Sequence, residues 1–135
     1  MNYLSSFISV AEDSKATEAS VPPARGTGRT VAQIQYELLR DEPYAHTQED
    51  VLFASWFERQ GMENVSGAEM AQLRAEFFAK DQPCLRTSPL ARTYGWGLVF
   101  DEKGGVALCA MESPEYQELL HSDLKQIKAM RSKRA

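Results

Sequence analysis

Tyr94-Gly95-Trp96-Gly97-Leu98-Val99-Phe100-Asp101-Glu102-Lys103-Gly104-Gly105-Val106-Ala107-Leu108-Cys109-Ala110-Met111 is the stretch that decides the fold. Tyr94, Trp96, Leu98 and Phe100 alternate with Gly95, Gly97, Val99 and Asp101, the period of two that a half-buried strand requires. Glu102-Lys103-Gly104-Gly105 supplies turn chemistry, and Val106 to Met111 resumes the apolar run. The segment therefore predicts a β-hairpin over about 94–111. Gly95 and Gly97 leave one face of its first strand without side chains, which weakens a strand unless something approaches the backbone closely. A packed helix or a ligand would both serve.

Working outward, Ser113-Pro114 places a capping hydroxyl before a proline at the first helical position, where its missing amide costs nothing. Tyr116, Leu120, Leu124 and Ile127 then mark the inner stripe of a final helix. Towards the N-terminus, Pro83 closes a helix that begins at the capping box Ser66-Gly67-Ala68-Glu69 and buries Met70, Leu73 and Phe77. Before it, Thr47-Gln48-Glu49-Asp50 starts a helix ending near Gly61, with Leu52, Phe53, Trp56 and Phe57 as its buried stripe. Thr30 caps a helix near 31–40, where Val31, Ile34 and Leu38 share a face, and Glu42-Pro43 ends it. Residues 12–29, rich in Ser, Thr, Ala, Pro and Gly, are long for a connection, and so mobile or functional. Residues 3–11 read as a strand, with Leu4, Ile8 and Val10 on one side and Tyr3 and Phe7 on the other. The expected class is α+β: a small antiparallel sheet of the N-terminal strand and the hairpin, packed by about four helices. Residues 1–124 form one globular domain and residues 125–135 a basic helix end or tail.

Charge is divided unevenly along the 135 residues. Residues 1–123 carry ten Lys and Arg against nineteen Asp and Glu, a balance of −9, whereas residues 124–135 carry Lys125, Lys128, Arg131, Lys133 and Arg134 and no acid. An acidic body argues against a nucleic-acid partner, since phosphate backbones need a basic surface. The basic end has two readings: cations favoured at a helix C-terminus, or an arm for an acidic partner. No apolar run approaches the roughly 20 residues that span a bilayer. The start of the chain lacks a basic region followed by a long apolar stretch, and Glu12 and Asp13 soon follow, so the expectation is a cytoplasmic protein without membrane contact.

Residues 84–97 concentrate unusual chemistry. Arg86 and Arg92 could fork around a carboxylate or phosphate while Ser88 donates a hydrogen bond and Tyr94 or Trp96 stacks. The competing reading holds both arginines on backbone carbonyls or neighbouring acids. Cys84 has the type of a nucleophile, but only His46 and His121 could serve it as a base, and neither is near in sequence; an ordinary half-buried thiol is the plainer reading. The two histidines lack paired metal-ligand spacing, so no metal and no cofactor are expected. Gly26-Thr27-Gly28-Arg29 lacks the lysine of a phosphate-binding loop. These residues leave two functions open: a binding module for a small anionic or aromatic ligand, with Cys84, Arg86, Ser88, Arg92, Tyr94 and Trp96 as its candidate residues, or an interaction or homodimer-forming domain using the helix around Trp56 and Phe57 or the hairpin edge.

Several segments together resemble a known family. They are Phe7-Ile8-Ser9-Val10-Ala11 with Asp13-Ser14, Pro43-Tyr44 with Thr47-Gln48-Glu49-Asp50, Cys84-Leu85-Arg86-Thr87-Ser88-Pro89-Leu90 with Tyr94-Gly95-Trp96-Gly97, and Glu112-Ser113 with Tyr116. The chain is similar to a family of small uncharacterised single-domain proteins, a domain of unknown function found mainly in microbes. The resemblance runs from residue 2 to about residue 120, leaving the basic end outside it. It implies a self-standing domain and brings with it no activity, cofactor or catalytic residue.

Overall fold

The structure, a computed structural model, describes residues 2–132. Its elements are β1 (Ser6–Ser9), α1 (Val31–Asp41), α2 (Gln48–Arg59), α3 (Gly67–Ala79), a 3-10 turn at Leu85–Thr87, α4 (Pro89–Arg92), β2 (Trp96–Phe100), β3 (Val106–Ala110), α5 (Pro114–Leu120) and β4 (Lys125–Lys128). The strands form one sheet in the order β3-β2-β1-β4. The hairpin forms as expected, with Leu98 opposite Leu108, and β1 lies antiparallel to β2, with Phe7 opposite Val99.

The α+β class stands, with two departures. The chain after α5 is a strand rather than a helix end: β4 runs parallel to β1, with Ile127 opposite Ile8, so the sheet is mixed rather than purely antiparallel. Lys125-Gln126-Ile127-Lys128 has no strand alternation of its own, but the free edge of β1 supplies backbone partners. The Lys125 amide donates to the Ser5 carbonyl at 3.0 Å and the Ala129 amide to the Ser9 carbonyl at 2.9 Å. Lysines suit an edge strand, where they discourage pairing with further chains. Lys128 is ion-paired with Glu12, whose carboxyl its ammonium holds below the ordinary value. The expected basic residues Lys133 and Arg134 lie outside the described residues. The second departure is in β1. Ser5 has φ 45°, which interrupts the alternation that residues 3–11 suggested. Tyr3 therefore packs edge-on to Phe100 at 5.4 Å, and Leu4 faces solvent at 54% exposure.

Helices cover both faces of the sheet. On one, Ile8, Leu98 and Phe100 meet Leu39 of α1, Val51 of α2 and Leu90 of α4; on the other, Phe7, Val99 and Cys109 meet Tyr116 of α5. Burial in this second layer raises the titration of both the Cys109 thiol and the Tyr116 hydroxyl above their ordinary values. The glycine pair in the hairpin is explained here. A Cβ on Gly97 would lie 2.8 Å from the Phe7 ring and 3.0 Å from that of Tyr116, so β1 and α5, rather than a ligand, fill that face. Gly95 has φ +77°, and a Cβ there would lie 2.6 Å from the Glu18 carbonyl oxygen. Residues 12–29 are strapped down at that point: the Ser20 amide donates to the Tyr94 carbonyl at 2.9 Å, and the Trp96 indole donates to the Ser20 carbonyl at 2.8 Å.

The expected caps form at Thr30, Thr47 and Ser66, and each closes as a capping box, at Thr30 with Gln33 as the reciprocal partner. Packing departs from expectation in α3. Met70, Leu73 and Phe77 are only partly covered, and no residue of the helix is buried. The physical reason is geometric: α3 lies against α2 and not against the sheet. Phe77 touches Phe53 at 5.8 Å and Trp56 at 5.3 Å, and Arg74 pairs with Asp50 at 3.0 Å.

A cleft between three helices as the candidate functional site

The residues singled out between 84 and 97 do not converge on one surface. Arg86 donates from Nε to the Lys128 carbonyl at 2.8 Å, and its own carbonyl accepts from the Met130 amide at 2.8 Å, so it clasps the outer side of β4. Cys84 accepts a hydrogen bond from the Tyr3 hydroxyl at 3.4 Å. Burial, reinforced by Cys84, pushes the Tyr3 hydroxyl up to about 12. His46 pairs with Glu42 at 3.0 Å, and His121 ends α5; neither is among the partners of Cys84. Trp96 is tied to Ser20 and packs on Tyr36 at 5.5 Å. Tyr94 is half-buried beneath the same strap, and Arg92 is half-buried on α4 with its Nε enclosed and unpaired. Among the described residues, no three His, Cys, Asp or Glu side chains gather as metal ligands.

Ser88 has a different setting. It is 3% exposed, caps α4 by accepting from the Leu90 amide at 3.2 Å, and donates to Gln35 Oε1 at 2.6 Å. Gln35 Nε2 donates to Ser55 Oγ at 3.4 Å, and Ser55 donates back to the Val51 carbonyl at 2.9 Å. A buried polar chain thus links α4, α1 and α2. Buried polar groups are costly unless hydrogen-bonded, so this chain fixes the mutual placement of the three helices.

The chain lies at the wall of an open cleft of about 390 Å³ formed by α1, α2, α3 and residues 82–89. Gln35, Ser55 and Ser88 line one side; Trp56 and Phe77, with ring centroids 5.3 Å apart, line another, and Leu52, Leu85, Pro83 and Pro89 complete the apolar surface. Residues 82–89 are held in place from within: the Leu85 amide donates to the fully buried Gln48 side chain at 2.8 Å, and Gln82 Nε2 donates to the Phe77 carbonyl at 2.7 Å. A second hollow of about 580 Å³ continues past Trp56, Phe77 and Gln82 along α3. Between α2 and α3, Arg74 pairs with Asp50 and lies over the rings of Phe53 and Phe78 at 5.7 and 5.3 Å. Burial alone would raise the Asp50 carboxyl, but the Thr47 amide and Arg74 outweigh it and leave it below its ordinary value. The cleft can accept a flat apolar group against the rings and a hydrogen-bonding group at Gln35 and Ser88.

Over residues 1–135 the sequence matches a family of unknown function, DUF6157. The chain belongs to that family. The DUF6157 match extends through the basic end, past the limit near residue 120 that the sequence suggested, in keeping with β4 being part of the sheet. No curated protein and no solved structure matches the chain. Among the described residues, no helix is long and apolar enough to cross a membrane.

Of the candidate ligand residues between 84 and 97, only Ser88 lines the cleft; Trp56, singled out for the interaction reading, lines it too. Gln35 was not singled out, and one signal could have found it: a glutamine at the position after Ile34 lies beside the apolar stripe of α1, where a polar side chain needs a partner.

Proposed function

We propose that the protein binds a small, flat, largely apolar molecule in the cleft between α1, α2, α3 and residues 82–89. The observation that carries this reading is the Ser55–Gln35–Ser88 chain, buried and polar, beside a hollow otherwise walled by Trp56, Phe77 and aliphatic side chains. Small-molecule sites have this character: a mostly apolar concavity with few, well-placed polar groups. The Gln35 amide nitrogen carries two hydrogens, and the contacts among the described residues use one. The second suits an acceptor on the ligand, while the rings take its apolar body by stacking.

The test uses Trp56 as its own reporter. The chain has two tryptophans, so Trp96→Phe leaves Trp56 as the sole indole emitter. Titration with 1-naphthol is expected to give a saturable change in that emission, weakened about tenfold by Gln35→Leu through loss of a buried hydrogen bond. A flat titration, or an affinity indifferent to both Gln35→Leu and Phe77→Ala, contradicts the reading.

A second reading, self-association through α3, is supported by exposed surface. The helix buries no residue, and Met70, Leu73, Phe77 and Phe78 are only partly covered. Sedimentation that shows only monomer at high protein concentration removes it. The hairpin edge does not favour association, because the Tyr44 amide and the His46 carbonyl already pair with Val106 of β3, both at 2.8 Å.

A further inference from the structure

Beyond the aromatic cleft, α2 ends at Arg59, and this side chain lines two hollows at once. One is the cleft already described. The other, about 480 Å³, lies between the 25–30 turn and the end of α2 and is bordered by Arg25, Arg29, Arg59, Glu58 and Thr30. Three guanidinium groups converge there in a chain body whose balance over residues 1–123 is −9.

The three arginines are not equivalent. Arg29 is clamped, donating to both oxygens of Glu58 at 2.6 Å and pairing with Glu37, so it staples α1 to α2; with Arg25 and Arg59 the three arginines outnumber these two carboxylates by one charge. Arg25 and Arg59 have no carboxylate partner among the described residues. Other arginines do have one: Arg40 pairs with Asp41 and Arg74 with Asp50. The turn backbone is open as well. A Cβ on Gly28 or Gly61 would meet nothing within 4 Å, so an anion can approach the chain closely at both positions. Guanidinium forks match the geometry of phosphate oxygens, and two of them facing one hollow repel each other until an anion lies between them.

We propose that this hollow is an oxyanion subsite continuous with the aromatic cleft, and that the ligand class is a phosphate monoester of a flat apolar alcohol. The apolar body lies against Trp56 and Phe77, and the phosphate is held between Arg25 and Arg59, with Arg59 as the hinge between the two parts. The assignment of the body rests on the cleft reading above; the assignment of the phosphate rests on the arginines alone.

The experiment compares 1-naphthyl phosphate, 1-naphthol and inorganic phosphate by calorimetry on the full chain and on Arg25→Gln, Arg59→Gln and the charge-matched control Arg40→Gln. Arg25 and Arg59 are exposed, so the variants are expected to fold, and an unchanged melting temperature checks this. Support is a naphthyl phosphate affinity about tenfold or more above that of naphthol, lowered by Arg25→Gln and by Arg59→Gln, unchanged by Arg40→Gln, and falling with added salt. Equal affinities for the two aryl compounds, or an advantage that survives both substitutions, overturns the subsite and leaves the cleft standing. Arginine-dependent binding of inorganic phosphate and of naphthyl phosphate with equal strength, while naphthol does not bind, keeps the subsite and removes the cleft. Absence of binding by all three overturns both.

Discussion

Phe7, Ile8, Leu98 and Phe100 of the sheet are fully shielded from solvent, whereas no residue of α3 is. Each shielded side chain contributes about 1.5–3 kcal/mol by leaving water, and close packing on both faces makes the sheet intolerant of any change in volume. α3 is held instead by ring-to-ring contacts from Phe77, an ion pair from Arg74 and two stacked guanidinium contacts. Such contacts are worth about 0.5–1.5 kcal/mol each and let the partners slide. The difference teaches where function can reside. A sheet packed on both sides is a scaffold, and a helix with half-covered aromatics beside a largely apolar cleft is the part able to adjust to a guest.

The largest effect expected from this contrast is Phe100→Ala, which should lower global stability by about 3–5 kcal/mol through the cavity it leaves. Phe77→Ala, a ring of the same size, should lower it by about 1 kcal/mol, because its partners can close around the gap. Denaturant melts of the two variants check this directly, and equal losses would break the comparison. Gly97→Ala should cost about 2–3 kcal/mol, since its Cβ meets the Phe7 ring at 2.8 Å in a layer that cannot move. The corresponding substitution on the other side, Gly67→Ala at the start of α3, meets nothing within 4 Å and should leave the melting temperature unchanged or raised.

How much was legible in the sequence follows the same division. The hairpin was legible because Trp96, Leu98 and Phe100 alternate, and the helix starts were legible because Thr30, Thr47, Ser66 and Ser113 each precede a helix that needs a cap. β4 was not, because Lys125-Gln126-Ile127-Lys128 takes its strand form from the edge of β1 and from Arg86, both distant in sequence. The four-residue α4 was also missed, being too short for a periodic signal. Of the cleft, the sequence drew attention to Ser88 as a ligand residue and to Trp56 only as part of an interaction surface. Residue type alone drew attention to Arg86 and Cys84, whose partners, Lys128 and Tyr3, come from opposite ends of the chain. Gln35, Trp56 and Phe77 meet only once three helices have crossed, and no local pattern encodes that crossing.

Ser88→Ala should cost about 1–2 kcal/mol by leaving Gln35 Oε1 buried without its donor and by removing the cap of α4. It sharpens the comparison because Ser88 joins the scaffold to the cleft: stability and naphthol affinity should fall together, whereas Phe77→Ala should lower affinity with little loss of stability. The smallest effect is in pH. Asp50 titrates below its ordinary value of 3.8, so its contribution is complete above that value and is lost as pH falls through the lower folded value. Acidification should therefore release Arg74 and α3 before the sheet opens, read as a shift of the Trp56 indole resonance ahead of that of Trp96. Coincident shifts would tie the two regions together.

Residue-resolved hydrogen exchange of the native protein tests the central claim most directly. Amides of α3, from about Met70 to Ala79, should exchange through local openings at a free energy well below that of Leu98 and Val99 in β2, which should exchange only on global unfolding. Equal protection of α3 and β2 would contradict the account, because the helix would then be part of the scaffold and not the adjustable wall of a site.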